Sequence, residues 1–120
     1  EDIKEANAVI VNPTHFAVAL KYDVGTPGAP KVLSMGRGLI AKKIIDKAKE
    51  NNITVFRHKL LAKALFFTSE IGLEISEKLY TAVAIALAYI YKINNGESLE
   101  EPEIEIPEDL EFNEDGTQKK

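Results

Sequence analysis

The stretch Ala8-Val9-Ile10-Val11-Asn12-Pro13-Thr14-His15-Phe16-Ala17-Val18-Ala19-Leu20-Lys21-Tyr22 decides the fold. Its first four residues are an apolar run rich in β-branched side chains, ended by Asn12-Pro13. From His15 the pattern alternates: Phe16, Val18, Leu20 and Tyr22 point one way, Ala17 and Ala19 the other, as in a strand with a large-residue face. The opposite face carries alanines rather than charges until Lys21, so the strand is expected to be covered on both sides, with a helix close on the alanine side. Downstream, Asp23–Pro30 holds Gly25, Pro27, Gly28 and Pro30 and reads as a loop. Lys31–Met35 reads as a third strand and Ile53–Arg57 as a fourth. Gly38–Asn51 reads as a helix with Leu39, Ile40, Ile44, Ile45 and Ala48 on one stripe. Lys59 to about Glu70 is a second helix, broken at Gly72. Ser76 is a candidate N-cap for a long last helix that stops at Asn94-Asn95-Gly96. Its apolar stripe is Leu79, Tyr80, Val83, Ala84, Leu87, Ile90 and Tyr91, and Ile85, Ala86 and Ala88 extend apolarity around the cylinder. The order β-β-β-α-β-α-α implies an α/β (α+β) single domain: one four-stranded mixed sheet packed with helices. Sheet polarity is left open, because the connection between the first two strands is ambiguous.

The chain has 120 residues and a formal charge of −4, with 45% hydrophobic and 28% charged residues, an ordinary globular balance. The average hides an asymmetry. Residues 97–120 hold ten acids against two lysines, or −8, which leaves +4 for residues 1–96. The expected organisation is a folded domain over 1–96 followed by an acidic, proline-containing, disordered tail over 97–120, where Ile104, Ile106, Leu110 and Phe112 look too sparse for a core. With no cysteine, disulfide scaffolds, thiolate metal sites and thiol nucleophiles are excluded; two histidines and no sulfur ligand argue against a structural zinc site, and no metal is expected. The uncharged run Leu79–Tyr91 is 13 residues, short of the ~20 that cross a bilayer. The acidic Glu1-Asp2 lacks the basic start of a secretory signal. A strand beginning seven residues in is expected of a piece cut from a longer chain.

Gly36-Arg37-Gly38-Leu39-Ile40-Ala41 matches the G-x-G-x-x-G/A dinucleotide fingerprint between a strand and a helix. The next strand, however, ends in Phe56-Arg57-His58 rather than in the acid that would hold a ribose. The match is a lone one, and a tight strand-to-helix turn using Gly36 and Gly38 for unusual dihedrals is the better account of it. Lys42, Lys43, Lys47 and Lys49 have no interleaved aromatics and read as a solvated helix face, not a nucleic-acid surface. His58 has no partner placed beside it by sequence and reads as structural. Apolar groups left over once the core is filled are candidates for docking a partner: Ala29-Pro30 in the loop, and Ala84 and Leu87 on the exposed side of the last helix.

Asn12-Pro13-Thr14-His15 suits a type I turn, with Pro13 supplying φ near −65° at the second position. The same turn sets up a reaction. Asparagine ordinarily decays when the following backbone nitrogen attacks its side-chain carbonyl, and Pro13 has no N–H with which to do so. The reverse attack remains: the Asn12 amide nitrogen adds to its own backbone carbonyl, a succinimide forms and Pro13 leaves as a new N-terminus. Backbone strain of ~1–3 kcal/mol gives only about 5- to 150-fold in rate. Holding the reacting atoms near ~3–3.5 Å contributes more, and a proton shuttle adds ~10²–10⁴. His15, three residues on, offers an imidazole able to accept a proton, and Thr14 a hydroxyl for orientation.

Asn12-Pro13-Thr14-His15-Phe16-Ala17-Val18-Ala19-Leu20, followed by Lys21-Tyr22, resembles the autocleavage segment of the FlhB/YscU/SpaS type III export switch family. The resemblance extends through Ala29-Pro30-Lys31-Val32, Gly38-Leu39-Ile40-Ala41, Leu60–Leu65, Glu70-Ile71-Gly72 and Leu79–Ala84. It implies the cytoplasmic domain of a bacterial inner-membrane protein whose membrane part lies outside this sequence. It also implies self-cleavage between Asn12 and Pro13, with Asn12 cyclising, Pro13 leaving and Thr14 and His15 assisting, and it implies that the cut lets an export gate change substrate class. Export substrates and other gate components are the implied partners. No cofactor, no nucleic acid and no turnover are expected, and membrane contact is expected only through the missing part. The acidic, proline-containing tail leans toward the flagellar branch. Two other readings stand beside this one: a docking module whose turn never breaks, and a small dinucleotide-binding domain.

Overall fold

The computed structural model describes residues 3–13, 15–23, 25 and 27–119. Thr14, one of the residues assigned to the reactive turn, lies outside the described residues. Four strands form one sheet in the order β3-β2-β1-β4: β1 Ala8–Asn12, β2 Phe16–Lys21, β3 Lys31–Arg37 and β4 Thr54–Arg57. β1 runs antiparallel to β2 and parallel to β4, and β2 runs antiparallel to β3. The sheet is therefore mixed. The polarity left open by sequence is settled by the turn at Asn12-Pro13, which makes β1 and β2 a hairpin with Asn12 opposite Phe16.

Three helices complete the domain: α1 Leu39–Glu50, α2 Lys59–Thr68 and α3 Tyr80–Asn94, the last entered through a 3-10 turn, Glu77–Leu79, capped by Ser76. The alternation in β2 sorts the core into two layers. Phe16, Val18 and Leu20 pack with Leu61, Leu65, Leu79, Val83 and Ile90 of α2, α3 and the turn that leads into α3. Ala17 and Ala19 face Ala41, Ile44 and Ala48, so α1 lies on the alanine side as expected. Small residues on both partners permit that close approach.

Three expectations are corrected. Leu39 and Ile40 are 79% and 58% exposed, so the buried face of α1 is Ala41, Ile44 and Ala48. Tyr80 and Tyr91 are exposed and α3 buries Ala82, Val83, Ala86 and Ile90, a stripe rotated from the one read by periodicity. An apolar surface around nearly the whole helix gave no unique inward face. The tail is not a disordered appendage. Ile104, Ile106, Leu110 and Phe112 are buried in the α2/α3 core layer. Their period-two spacing turns the apolar groups inward along an extended chain while most of the acids between them face water. Phe112 packs against Phe67 with the rings tilted, and Lys78 pairs with Asp109 at 2.6 Å.

Candidate functional site

The turn that joins β1 to β2 sits at one end of the sheet. The His15 N–H donates to the Asn12 carbonyl oxygen at 2.9 Å, the i to i+3 bond of a β-turn. The same bond polarises the carbonyl carbon that a nucleophile would attack. Asn12 closes β1 and is 7% exposed. Its Nδ2 is buried with no hydrogen-bond partner among the described residues. Such orphaned amides are rare, because leaving one unpaired costs ~1–3 kcal/mol. Here the unpaired nitrogen belongs to the residue whose own carbonyl is polarised.

His15 is half-exposed. Its Nδ1 lies 3.2 Å from the Pro13 carbonyl oxygen, on the leaving-group side of the Asn12-Pro13 bond, and its Nε2 lies 3.3 Å from Glu114 Oε1. The His15 carbonyl accepts from the Gly38 N–H at 3.1 Å, which ties the turn to the start of α1. Arg37 is opposite Phe16 in the β2–β3 register, and its guanidinium rests 4.9 Å from the Phe16 ring centre while donating to the Glu114 carbonyl at 2.6 Å. Arg37 and Glu114 were missed by sequence reading. The signal for Glu114 was the Asp115-Gly116 pair: Gly116 adopts φ 93°, and Asn113 bonds back to the Thr117 carbonyl, closing a small hairpin that carries Glu114.

Two further groups lie near this end of the fold. His58 caps α2, its Nδ1 accepting from the Leu61 N–H at 3.1 Å, and its backbone N–H bonds the Val11 carbonyl. Burial holds its pKa below the ordinary value, with the Glu101 carboxylate opposing. Lys63 on α2 is nearly buried. Desolvation, helped by Lys119 and Lys59, lowers its pKa, against Glu114 and Glu111.

Gly36 and Gly38 differ from expectation. Gly38 alone has positive φ, 58°. Gly36 is needed because a Cβ there would overlap Ile40. Away from the turn, Ala29, Pro30, Ala84 and Leu87 all line a single groove of about 910 Å3, together with Tyr22, Tyr80 and Tyr91. Of the described residues of the turn, Asn12, Pro13 and His15 do not line it.

A mixed four-stranded sheet with helices on both faces, an Asn-Pro turn whose asparagine is buried and a separate apolar groove define a small α/β domain. The chain belongs to the FlhB HrpN YscU SpaS Family, which matches residues 1–90. It is 39% identical over 118 residues to the flagellar biosynthetic protein FlhB of Salmonella typhimurium, covering 93% of this chain and 31% of that protein. It is 46% identical over 89 residues to FlhB of Aquifex aeolicus, covering 74% of this chain and 25% of that one. The chain thus spans a third or less of the length of these relatives. The crystal structure of the cytoplasmic domain of FlhB from Shewanella putrefaciens superposes with a TM-score of 0.83 at 36% identity, covering 92% of this chain and 91% of that one. A mutated EscU C-terminal domain superposes at 0.71 with 29% identity, covering 74% and 89%.

Proposed function

We propose that this chain is the cytoplasmic domain of a flagellar type III export apparatus protein that cleaves itself between Asn12 and Pro13, and that the cut turn permits the export gate to change substrate class. The observation that carries the reading is the unpaired, buried Asn12 Nδ2 on the residue whose carbonyl is held by the His15 N–H at 2.9 Å. Nδ2 attacks the Asn12 carbonyl carbon, and the carbon–nitrogen bond to Pro13 breaks. One Nδ2 proton passes to the Pro13 nitrogen. The products are a succinimide-ended piece, 1–12, and a chain that begins at Pro13. Charge develops on the Asn12 oxygen, where one fixed N–H donor is worth ~10²–10³ in rate. The unpaired amide raises the ground state and loses no hydrogen bond when it attacks. His15 moves the proton, and Thr14 is proposed to orient the turn. No metal or cofactor enters the step.

Intact mass of freshly made chain at neutral pH tests this. The wild type is expected to convert from 13.3 kDa into two pieces, the larger starting at Pro13. Asn12→Ala removes the nucleophile and is expected to stay whole. His15→Ala is expected to be slower but still cut, since water can carry the proton. Wild-type chain that persists whole after long incubation would leave an ordinary turn and a docking module.

We further assign the groove lined by Ala29, Pro30, Ala84 and Leu87 to apolar segments of export substrates. Leu87→Asp is expected to weaken binding of an export subunit in a titration by about 10-fold or more, through an unpaired charge in an apolar contact, with cleavage unchanged. Equal binding by the variant would remove the groove from the docking role.

A further inference from the structure

Two acceptors among the described residues lie within reach of the His15 ring nitrogens, and only one of them carries a full charge. A neutral imidazole has a single N–H. Donated from Nδ1, it satisfies the Pro13 carbonyl, 3.2 Å away, and leaves Nε2 as the basic nitrogen, turned away from the scissile bond. Donated from Nε2, it satisfies Glu114 Oε1 at 3.3 Å and leaves the Nδ1 lone pair on the Pro13 side. Hydrogen bonds to an ionised acceptor are roughly twice as strong as neutral ones, so the carboxylate decides the tautomer.

Glu114 does not reach this position as a stray surface acid. The Asn113–Thr117 hairpin carries it, Phe112 anchors that hairpin on Phe67, and Arg37 holds the Glu114 carbonyl from a seat over the Phe16, Phe66 and Phe67 rings. Phe16 directly follows His15, so the contacts close a circuit from the turn through β3 and the tail back to the turn.

We infer that Glu114 is a positioning residue for cleavage: the acidic tail fixes the Nε2–H tautomer of His15 and thereby aims Nδ1 at the proton that travels from Asn12 to Pro13. The inference rests on the cleavage reading above. As a hydrogen bond between half-exposed groups the contact contributes little stability, so its effect is orientation.

Two measurements on the full chain test it. In uncut Asn12→Ala chain, proton–nitrogen correlation spectra of the neutral His15 ring are expected to show Nε2–H, and Glu114→Ala is expected to shift the ring to Nδ1–H. In cell-free synthesis followed by intact mass, Glu114→Ala is expected to slow cleavage roughly three- to tenfold, the effect of one aligned hydrogen bond. Glu114→Gln keeps an acceptor without the charge and is expected to restore only part of that rate. Added to His15→Ala, Glu114→Ala is expected to change nothing further, whereas a merely loosened tail would slow both backgrounds alike. An unchanged tautomer, a wild-type rate in Glu114→Ala or an undiminished loss in the His15→Ala background overturns the role of Glu114 while wild-type chain still cuts. A wild-type chain that never cuts sinks the cleavage reading itself.

Discussion

At the scale of single residues, the end of the sheet that holds the turn is built from side chains whose hydrogen-bonding state matters more than their bulk. Asn12 Nδ2 is kept without a partner among the described residues, and His58, one strand away, is kept as an acceptor. Protonating His58 would turn its Nδ1 from acceptor into donor facing the Leu61 N–H, and the α2 cap would be lost. Burial lowers its pKa below the ordinary 6.5, so on acidification the unfolded chain takes up this proton first. Stability from His58 is therefore complete above the ordinary value and is lost as pH falls through it and through the lower folded value. The urea midpoint of an Asn12→Ala chain is expected to drop between about pH 7.5 and pH 5. His58→Asn replaces the cap with a group that does not titrate, and its midpoint should fall less over the same window. The carboxylates whose pKa values the fold depresses, Asp109 and Asp115, act only below this range. A decline of equal size in the variant would show that His58 is not its source.

At the scale of elements, the junction of β3 and α1 decides how closely the helix lies on the sheet. A Cβ at Gly36 would overlap the Ile40 side chain and approach its Cβ to 2.7 Å. Gly36→Ala is expected to cost about 1–3 kcal/mol in urea unfolding, as overpacking does. Adding Ile40→Ala removes the branch that clashes most and is expected to return part of the loss, although Ile40→Ala alone should change little at a half-exposed position. If Gly36→Ala is neutral, the glycine is there for another reason. Such elements were legible to different degrees. The alternation from Phe16 to Tyr22 revealed a two-faced strand and a helix on its alanine side, because side-chain direction in a strand follows directly from residue order. The turn at Asn12-Pro13 was legible from its residue types, and the chemistry proposed for it follows from sequence alone because proline removes the competing nucleophile whatever the fold. The inward face of α3 was not, since apolar residues surround it. Neither was the exposure of Leu39 and Ile40, because periodicity names a helix face but not how far along the helix the sheet beneath it reaches. Glu114 was missed for another reason: Asp115-Gly116 marks a turn but not what the turn meets, the contact with His15 spans nearly the whole chain, and the ten acids of its segment concealed the alternation Ile104-Glu105-Ile106 and Leu110-Glu111-Phe112.

At the scale of the whole molecule, the proposed cut severs one peptide bond but leaves every other interaction of β1 in place. β1 lies inside the sheet, bonded to β2 on one side and to β4 on the other. All five of its residues are buried, with Ala8 and Ile10 in one core layer and Val9 and Val11 in the other. Ile3 and Ala6 add to the α1-side layer, the Asn7 N–H donates to the Leu20 carbonyl at 2.8 Å, and Lys21 pairs with Glu5. Withdrawing residues 1–12 would separate β4 from β2, open both cores and leave two strand edges unpaired. Burial of Ile3, Val9, Ile10 and Val11 alone is worth roughly 6–12 kcal/mol at ~1.5–3 kcal/mol each, comparable to the ~5–15 kcal/mol of a whole domain. Release of the short piece should therefore coincide with global unfolding instead of preceding it. Native mass spectrometry of cut wild-type chain is expected to show one species carrying both pieces, and in a urea series their separation should share its midpoint with the loss of circular dichroism. A chain beginning at Pro13 that keeps its folded spectrum after the 1–12 piece has washed away would show that β1 is dispensable and that the sheet closes without it.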